Sequence, residues 1–370
     1  MNIDNFKLER YFAKYEFKTK YLLSCSDCDG FSLNDVLSNA SPEELDLWNS
    51  LTFGYTESCG HPLLRKSISN LYKKMTPENI LVSSPGEANF ILMNTLLKQT
   101  DHVICISPSY QSLYQVTKSI GCQLSFWKPN KNSWHYDPKD LKNLVQKNTK
   151  LIIINFPHNP TGAFPSEEEL LSIVKIAKDN DIYLFSDEIY HLLTLNKAKE
   201  IPFVCDIYEK GISLWGMAKS FGLAGLRIGW LASQNIELLD KVASFKDYLT
   251  ICNSAPSEIL SLIALNNKKK FINTNLEKIE RNIDLFKRFC SEHSNVIDFI
   301  PPKAGSTCLA KLSVSETAIE FSRKLIEETG IMTVPSELFE YGSKHIRVGF
   351  GRDNFPEILE IFGQYLKKNY

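Results

Sequence analysis

The 370-residue sequence carries almost no surplus charge: 42 Lys and Arg stand against 43 Asp and Glu, a net charge of −1. Such a chain has no excess of cations to neutralise phosphates, so a nucleic-acid partner is not expected. It lacks any run approaching the roughly 18–20 apolar residues of a membrane-spanning helix. Its longest apolar runs, such as LIII and IYLF, have the length of strands. The N-terminal MNIDNFKLER holds no apolar segment of secretory type, and a cytoplasmic location is therefore expected. No internal repeat, low-complexity tract or long Gly/Ser linker interrupts the chain. No GxGxxG follows the first strand, which speaks against a dinucleotide-binding fold.

Cysteines are present but unpaired in number: nine are scattered from Cys25 to Cys308, several inside apolar strands, and they read as reduced thiols. Cys25 and Cys28 form a CxxC. A zinc site needs about four ligands, and no second CxxC or His pair accompanies this one, so no metal site is expected. None of the seven histidines is assigned to catalysis; His158 is the one that lies near the motifs below.

What the sequence does have, from about residue 80, is short apolar runs alternating with helical patterns. NILVSS, HVICIS, QLSFWK, KLIIINF, IYLFSDE, ISLWGM and RIGWLAS read as strands. Between the earlier ones lie helical stretches, among them SEEELLSIVKIAKDN with a Ser N-cap and Glu in its first turn. This rhythm predicts an α/β fold, with a largely parallel sheet covered by helices on both faces. Ligands of such sheets bind at the carboxyl ends of the strands. After about residue 235 long helices dominate, followed by a short mixed region that reads as a small α+β lobe. The first 45 or so residues hold no strand–helix unit and are expected to pack on that lobe, beside the ligand cleft.

Three stretches place polar residues just after apolar strands. In SLWGMAKSFGLAGLRIGW, Lys219 follows a strand among small residues, and Arg227 stands eight positions on. A lysine so placed shifts its pKa readily and can attack carbonyls, while an arginine fork suits a phosphate. In NFPHNPTG two prolines and a glycine fix a turn around Asn159. In YLFSDEIY, Asp187 ends a strand and Tyr190 lies three residues later; a carboxylate there can pair with a buried cationic ring nitrogen. On the residues alone plainer readings stay open: a Lys and an Arg flanking a glycine-rich turn, an Asn in a turn, an Asp capping a helix.

Taken in order, these motifs resemble those of the class I/II aminotransferase family, pyridoxal phosphate (PLP) enzymes of the aspartate aminotransferase fold, fold type I. The likeness spans nearly the whole chain from about residue 50. Its finer flavour, with segments such as KDYLTICNSAPSE, resembles a subgroup related to capreomycidine synthase. The resemblance implies a large PLP-binding domain at 46–275 with a mostly parallel seven-stranded sheet. It implies a smaller α+β domain built from both termini, 1–45 with 276–370. Lys219 matches the lysine that holds PLP as a Schiff base, and Asp187 the carboxylate that keeps the pyridine nitrogen protonated. Asn159 and Tyr190 match the residues that bond the phenolate oxygen. Arg227 matches the phosphate-binding arginine, and SSPGEAN the phosphate loop, with amides around Gly86, Glu87 and Ala88 facing the phosphate. Tyr110 matches the aromatic that stacks on the ring, and Arg347 in HIRVGFG the arginine that grips the substrate carboxylate. Tyr55, ten residues before Arg65, matches a tyrosine that reaches the neighbouring subunit's phosphate, which implies a homodimer with shared sites.

The implied reaction moves an amino group between an L-amino acid and a 2-oxo acid. Elimination or ring closure is the alternative within PLP enzymes. A ligand-sensing domain is the alternative outside them, though no helix-turn-helix pattern or basic run precedes the fold. Three departures stand out. Gly216 replaces a common Ser or Thr, Thr56 replaces a glycine, and Glu87 sits beside the phosphate loop, where its side chain is expected to turn away. Lys246, Asp247, Tyr248 and Asn253 are placed near the substrate's side chain by resemblance only.

Overall fold

A computed structural model of the protein describes residues 2–195 and 198–370. The apolar runs form seven strands: β1 Ile80–Ser83, β2 His102–Ile106, β3 Gln123–Trp127, β4 Thr149–Asn155, β5 Tyr183–Asp187, β6 Gly211–Gly216 and β7 Gly229–Ser233. They make one sheet in the order β1-β7-β6-β5-β4-β2-β3. β7 runs antiparallel to both of its neighbours, and the remaining pairs are parallel. The fold is thus the α/β arrangement expected, with seven strands.

Successive residues of a strand face opposite sides, and here both sides are apolar. Val103, Cys105, Ile153 and Phe185 enter one core layer, while Ile104, Ile106, Ile152, Ile154 and Leu184 enter the other. Each such isoleucine, fully buried, contributes about 1.5–3 kcal/mol of transfer free energy. The helix Glu167–Asp179 shows how the covering layer is fixed. Ser166 Oγ accepts from Glu169 N–H while the Glu169 carboxylate accepts from Ser166 N–H, so two end donors are satisfied reciprocally. Its Leu170, Ile173, Val174 and Ala177 then lie at helical spacing against the sheet.

The smaller lobe is a four-stranded antiparallel sheet ordered Val334–Pro335, His345–Gly349, Thr307–Leu312, Ile297–Phe299. The N-terminal segment joins it through a parallel pairing of Tyr21–Leu22 with Ile331–Met332. A strap follows at residues 23–28. Gly349 N–H donates to Leu23 O at 2.8 Å. A Cβ at Gly349 would stand 1.6 Å from Cys25 O, so only glycine lets strap and strand lie backbone against backbone. This close approach carries Ser26 and Asp27 to the wall of the cleft. The 25-residue helix Lys268–Glu292 ties the two parts together. Its Asn275 donates to Ser220 O at 3.0 Å and its Asn282 to Phe350 O at 2.9 Å. Among the described residues no helix is long and apolar enough to cross a membrane.

Candidate active site

The carboxyl ends of β4, β5 and β6 open on a cavity of about 610 Å³. The N-terminal helix Lys7–Tyr15, the strap and Arg347 form its other walls. Asn155 and Asp187, the last residues of β4 and β5, stand side by side in register. Asn155 Nδ2 donates to Asp187 O at 2.7 Å, and Asn155 Oδ1 accepts from Asn159 N–H at 2.9 Å. The NFPHNPTG turn is thereby pinned to the sheet end. Asp187 is buried and receives one backbone donor, Ile189 N–H, at 3.2 Å. Burial lifts its carboxyl to about 7, because the charged form has lost its water and gained little in return.

Lys219 lies three residues beyond the end of β6. Its Nζ donates to Ser26 Oγ at 3.0 Å and stands 3.8 Å from Asp27 Oδ1. Gly216, which departs from the family pattern, has a packing reason. A Cβ there would meet Gly229 Cα at 2.8 Å across the β6–β7 pair. Tyr190 is 2% exposed, and its hydroxyl finds no hydrogen-bond partner among the described residues; the Ser26 hydroxyl is nearby without bonding geometry.

Arg347 is buried, and desolvation works against its charge. Its Nη1 donates to Asn159 Oδ1 at 3.2 Å, while Nε and Nη2 donate to Ser24 O at 3.1 and 2.8 Å. The rings of Phe12 and Phe339 lie 5.7 and 5.5 Å from its guanidinium carbon. Arg227 lies at the cavity rim with a left-handed backbone, φ 56°, and Nη1 donates to Ala224 O at 3.1 Å. Tyr110 lines the cavity, and its hydroxyl donates to Glu9 Oε1 at 2.7 Å.

The structure therefore gathers Lys219, Asp187, Tyr190, Asn159, Tyr110, Arg227, Gly86 and Arg347 around one cavity. Three expectations need correction. Ala88 N–H closes the first helical turn on Ser84 O at 2.9 Å, so it is not a free donor. Glu87 N–H is taken by Ser84 Oγ at 3.4 Å, leaving Gly86 as the amide at the cavity wall. Tyr55, expected to reach a neighbouring subunit, is exposed and lines no part of this chain's own cavity. Lys246, Asp247, Tyr248 and Asn253 do not line it either: Lys246 is buried with Nζ on Ser58 O and Ile251 O, at 3.2 and 2.8 Å. The Glu87 carboxylate does turn aside, accepting from Ser83 Oγ and Thr250 Oγ1, both at 2.7 Å. His158 faces Thr161 and Tyr136, and burial lowers its pKa to about 3.

Six residues of this site were not among those expected: Glu9, Glu16, Ser24, Ser26 and Asp27 from the N-terminal segment, and Asn155. Asn155 was discoverable as the polar residue ending an apolar strand. Ser24, Ser26 and Asp27 reach the site because Gly349 admits the strap, and Glu9 and Glu16 arrive with the helix that precedes it.

A phosphorylated, cationic heteroaromatic aldehyde fits these residues. Among the described residues the buried Asp187 makes no ion pair and the Tyr190 hydroxyl no hydrogen bond, and Gly86 and Arg227 line the same cavity with donors for an anion. Fold and site together define a PLP-dependent enzyme. The model of the family "Aminotransferase class I and II" matches residues 18–357, and the chain belongs to that family. It is similar to a probable aspartate aminotransferase of Methanocaldococcus jannaschii, 26% identical over 84% of each chain. It is also similar to capreomycidine synthase of Streptomyces vinaceus, 24% identical over 93% of this chain and 88% of that one. A PLP-dependent aminotransferase of Streptococcus suis superposes with a TM-score of 0.93 at 28% identity, covering 100% of this chain and 99% of the other. The protein is an aminotransferase-family enzyme, and its cofactor is pyridoxal phosphate.

Proposed function

We propose that Lys219 is the cofactor-bearing lysine and the proton carrier of an amino-group transfer between an L-amino acid and a 2-oxo acid. The observation that carries this is the meeting of Lys219, Asp187 and Arg347 on one cavity from three distant parts of the chain. Bound PLP supplies an electron sink for the pair left when Cα loses its proton. Asp187, once ionised, favours the cationic form of the ring nitrogen. Tyr190 and Asn159 would hold the phenolate oxygen, Tyr110 would flank the ring, and Arg227 with the Gly86 amide would hold the phosphate. Arg347 binds the substrate's α-carboxylate through its planar fork. The Lys219 amine would take the proton from the substrate's Cα and hold it for return.

The same reading divides the chain into a cofactor-binding unit, 46–275, and a smaller one, 1–45 with 276–370. It makes the protein a homodimer. Phe53, Tyr55 and Tyr248 are 90%, 88% and 88% exposed. Their loops are neighbours, since Thr56 Oγ1 donates to Asn253 O at 3.3 Å. So much exposed aromatic surface favours a protein interface, through which Tyr55 reaches the partner's phosphate. Nine free thiols suit a reducing compartment, the cytoplasm. Elimination or ring closure is the second reading, favoured by the length of chain shared with capreomycidine synthase.

An absorbance spectrum tests the proposal. The purified protein should be yellow, and Lys219→Ala should lose both the colour and at least about a thousandfold in rate. A colourless wild type, or a variant that keeps its rate, refutes the assignment. Release of a 2-oxo acid without ammonia marks transfer; ammonia marks elimination.

A further inference from the structure

The N-terminal helix and the strap bring three carboxylates, Glu9, Glu16 and Asp27, to the wall of the same cavity. Their partners differ. Asp27 lies 3.4 Å from Arg352 Nη2 and 3.8 Å from Lys219 Nζ. Glu9 accepts from the neutral Tyr110 hydroxyl at 2.7 Å. Glu16 makes no side-chain hydrogen bond or ion pair within the described residues. The charges that act on Glu16 are Asp27 and Glu9, which repel it, and Arg352 and Lys219, which attract it. Arg352 is already committed to Asp27 and to Asp29, the latter at 3.0 Å. Burial and the two neighbouring carboxylates raise the pKa of Glu16, the mark of a carboxylate without its counter-ion.

The cations of the cavity do not remain free to answer it. On the reading above, Lys219 is joined to the cofactor, Arg227 takes the phosphate and Arg347 takes the α-carboxylate. Among the described residues, Glu9 and Glu16 then have no cation within ion-pair distance. Independently of these carboxylates, two polar atoms on cavity-lining residues more than nine-tenths buried have no hydrogen-bond partner among the described residues, Tyr190 Oη and Asn89 Oδ1. It is built to receive a ligand, and with a volume of about 610 Å³ it has the size of a small-molecule site.

We infer that the substrate is an amino acid whose side chain ends in a cation, an ammonium or guanidinium, and that Glu16, assisted by Glu9, is the residue that selects it. The inference rests on the proposed role of this cavity. It assigns the two ends of the substrate to opposite charges: the α-carboxylate to Arg347, the distal cation to Glu16. A second carboxylate, as in aspartate, would meet Glu16, Glu9 and Asp27 with like charge, and such juxtaposition penalises a wrong ligand strongly.

The test uses the PLP-loaded protein and six probes: L-ornithine, L-lysine, L-arginine, the uncharged isostere L-citrulline, L-leucine and L-aspartate. Binding is read as spectral change at equilibrium, and turnover separately as kcat/KM. At least one of the three cationic amino acids should be preferred over L-citrulline, L-leucine and L-aspartate by about tenfold or more. Glu16→Gln should erase that margin, chiefly through KM, and Glu16→Asp should restore part of it. Glu9→Gln should reduce it less, and neither change should alter the spectrum before substrate is added. Equal or better use of L-aspartate or L-leucine, or a margin that survives Glu16→Gln in a normally folded variant, overturns the inference while leaving the cofactor assignment standing. A yellow protein that responds to none of the six overturns the inference and the amino-transfer reading together.

Discussion

Arg347 and Asn159 are bonded directly, guanidinium to amide oxygen, at 3.2 Å. The two residues are 188 positions apart, one on the small lobe's sheet and one in the turn after β4. Through this bond the proposed carboxylate grip and the proposed cofactor contact are one unit, and the backbone carbonyl of Ser24 holds the rest of the fork.

Replacing Arg347 by lysine keeps the charge but loses the planar fork. The variant should remain yellow, and its kcat/KM should fall by roughly 10–100-fold, the worth of a charged hydrogen bond. Because Ser24 O loses two donors, the melting temperature should fall as well. Steady-state kinetics and thermal melts on the same preparation check both effects, and an unchanged KM would remove Arg347 from substrate binding.

Asp187 ties stability to pH. Its carboxyl titrates near 3.8 when unfolded and at about 7 in the cofactor-free fold, so between these values the folded chain holds the extra proton. Stability from this group is present below about pH 4 and is lost as pH rises through about 7, by at most about 4 kcal/mol. Glu188, raised to about 8 by burial, acts in the same sense. His158 and His191, lowered to about 3, act oppositely, destabilising the fold as pH falls below about 6.5. The difference between wild type and Asp187→Asn isolates the one group. Without cofactor, Asp187→Asn should be relatively more stable at pH 8 than at pH 5. With PLP bound, the advantage should reverse, since the cationic ring nitrogen needs the carboxylate. Melts at both pH values, with and without PLP, decide it.

Tyr190 should separate the two states of the cavity in another way. Its buried hydroxyl has no partner among the described residues, so Tyr190→Phe should leave the cofactor-free protein unchanged or up to about 1 kcal/mol more stable. The same change should weaken PLP retention by roughly two- to tenfold and shift the visible absorbance. A loss of stability without cofactor would mean that the hydroxyl already has a partner.

The exposed Phe53 offers a test of assembly. Phe53→Asp should convert a dimer to a monomer in sedimentation, lower PLP affinity by removing the partner's Tyr55, and leave the melting of the cofactor-free monomer nearly unaltered. A wild type that sediments as a monomer at micromolar concentration would refute the shared site.

How far the sequence alone reaches can be judged residue by residue. The strands at 149–155 and 183–187 were legible because parallel strands buried on both faces read as unbroken apolar runs. Asn159, Asp187 and Lys219 were legible because each follows such a run, where a ligand must bind, and Arg227 because it opens the next apolar run eight positions after Lys219. Amide availability at Ala88 was not legible, since it depends on which N–H groups the first helical turn consumes. The environment of Lys219 was not legible either: Ser26 and Asp27 lie 193 and 192 positions away, inside a CxxC that pointed to no site. Local pattern determined the strands, the helix caps and the residues at strand ends, because those depend on neighbours within a few positions. Only the tertiary structure decided which charges share the cavity with Lys219, because that depends on two backbones meeting at a glycine, 349, whose partner lies at the other end of the chain.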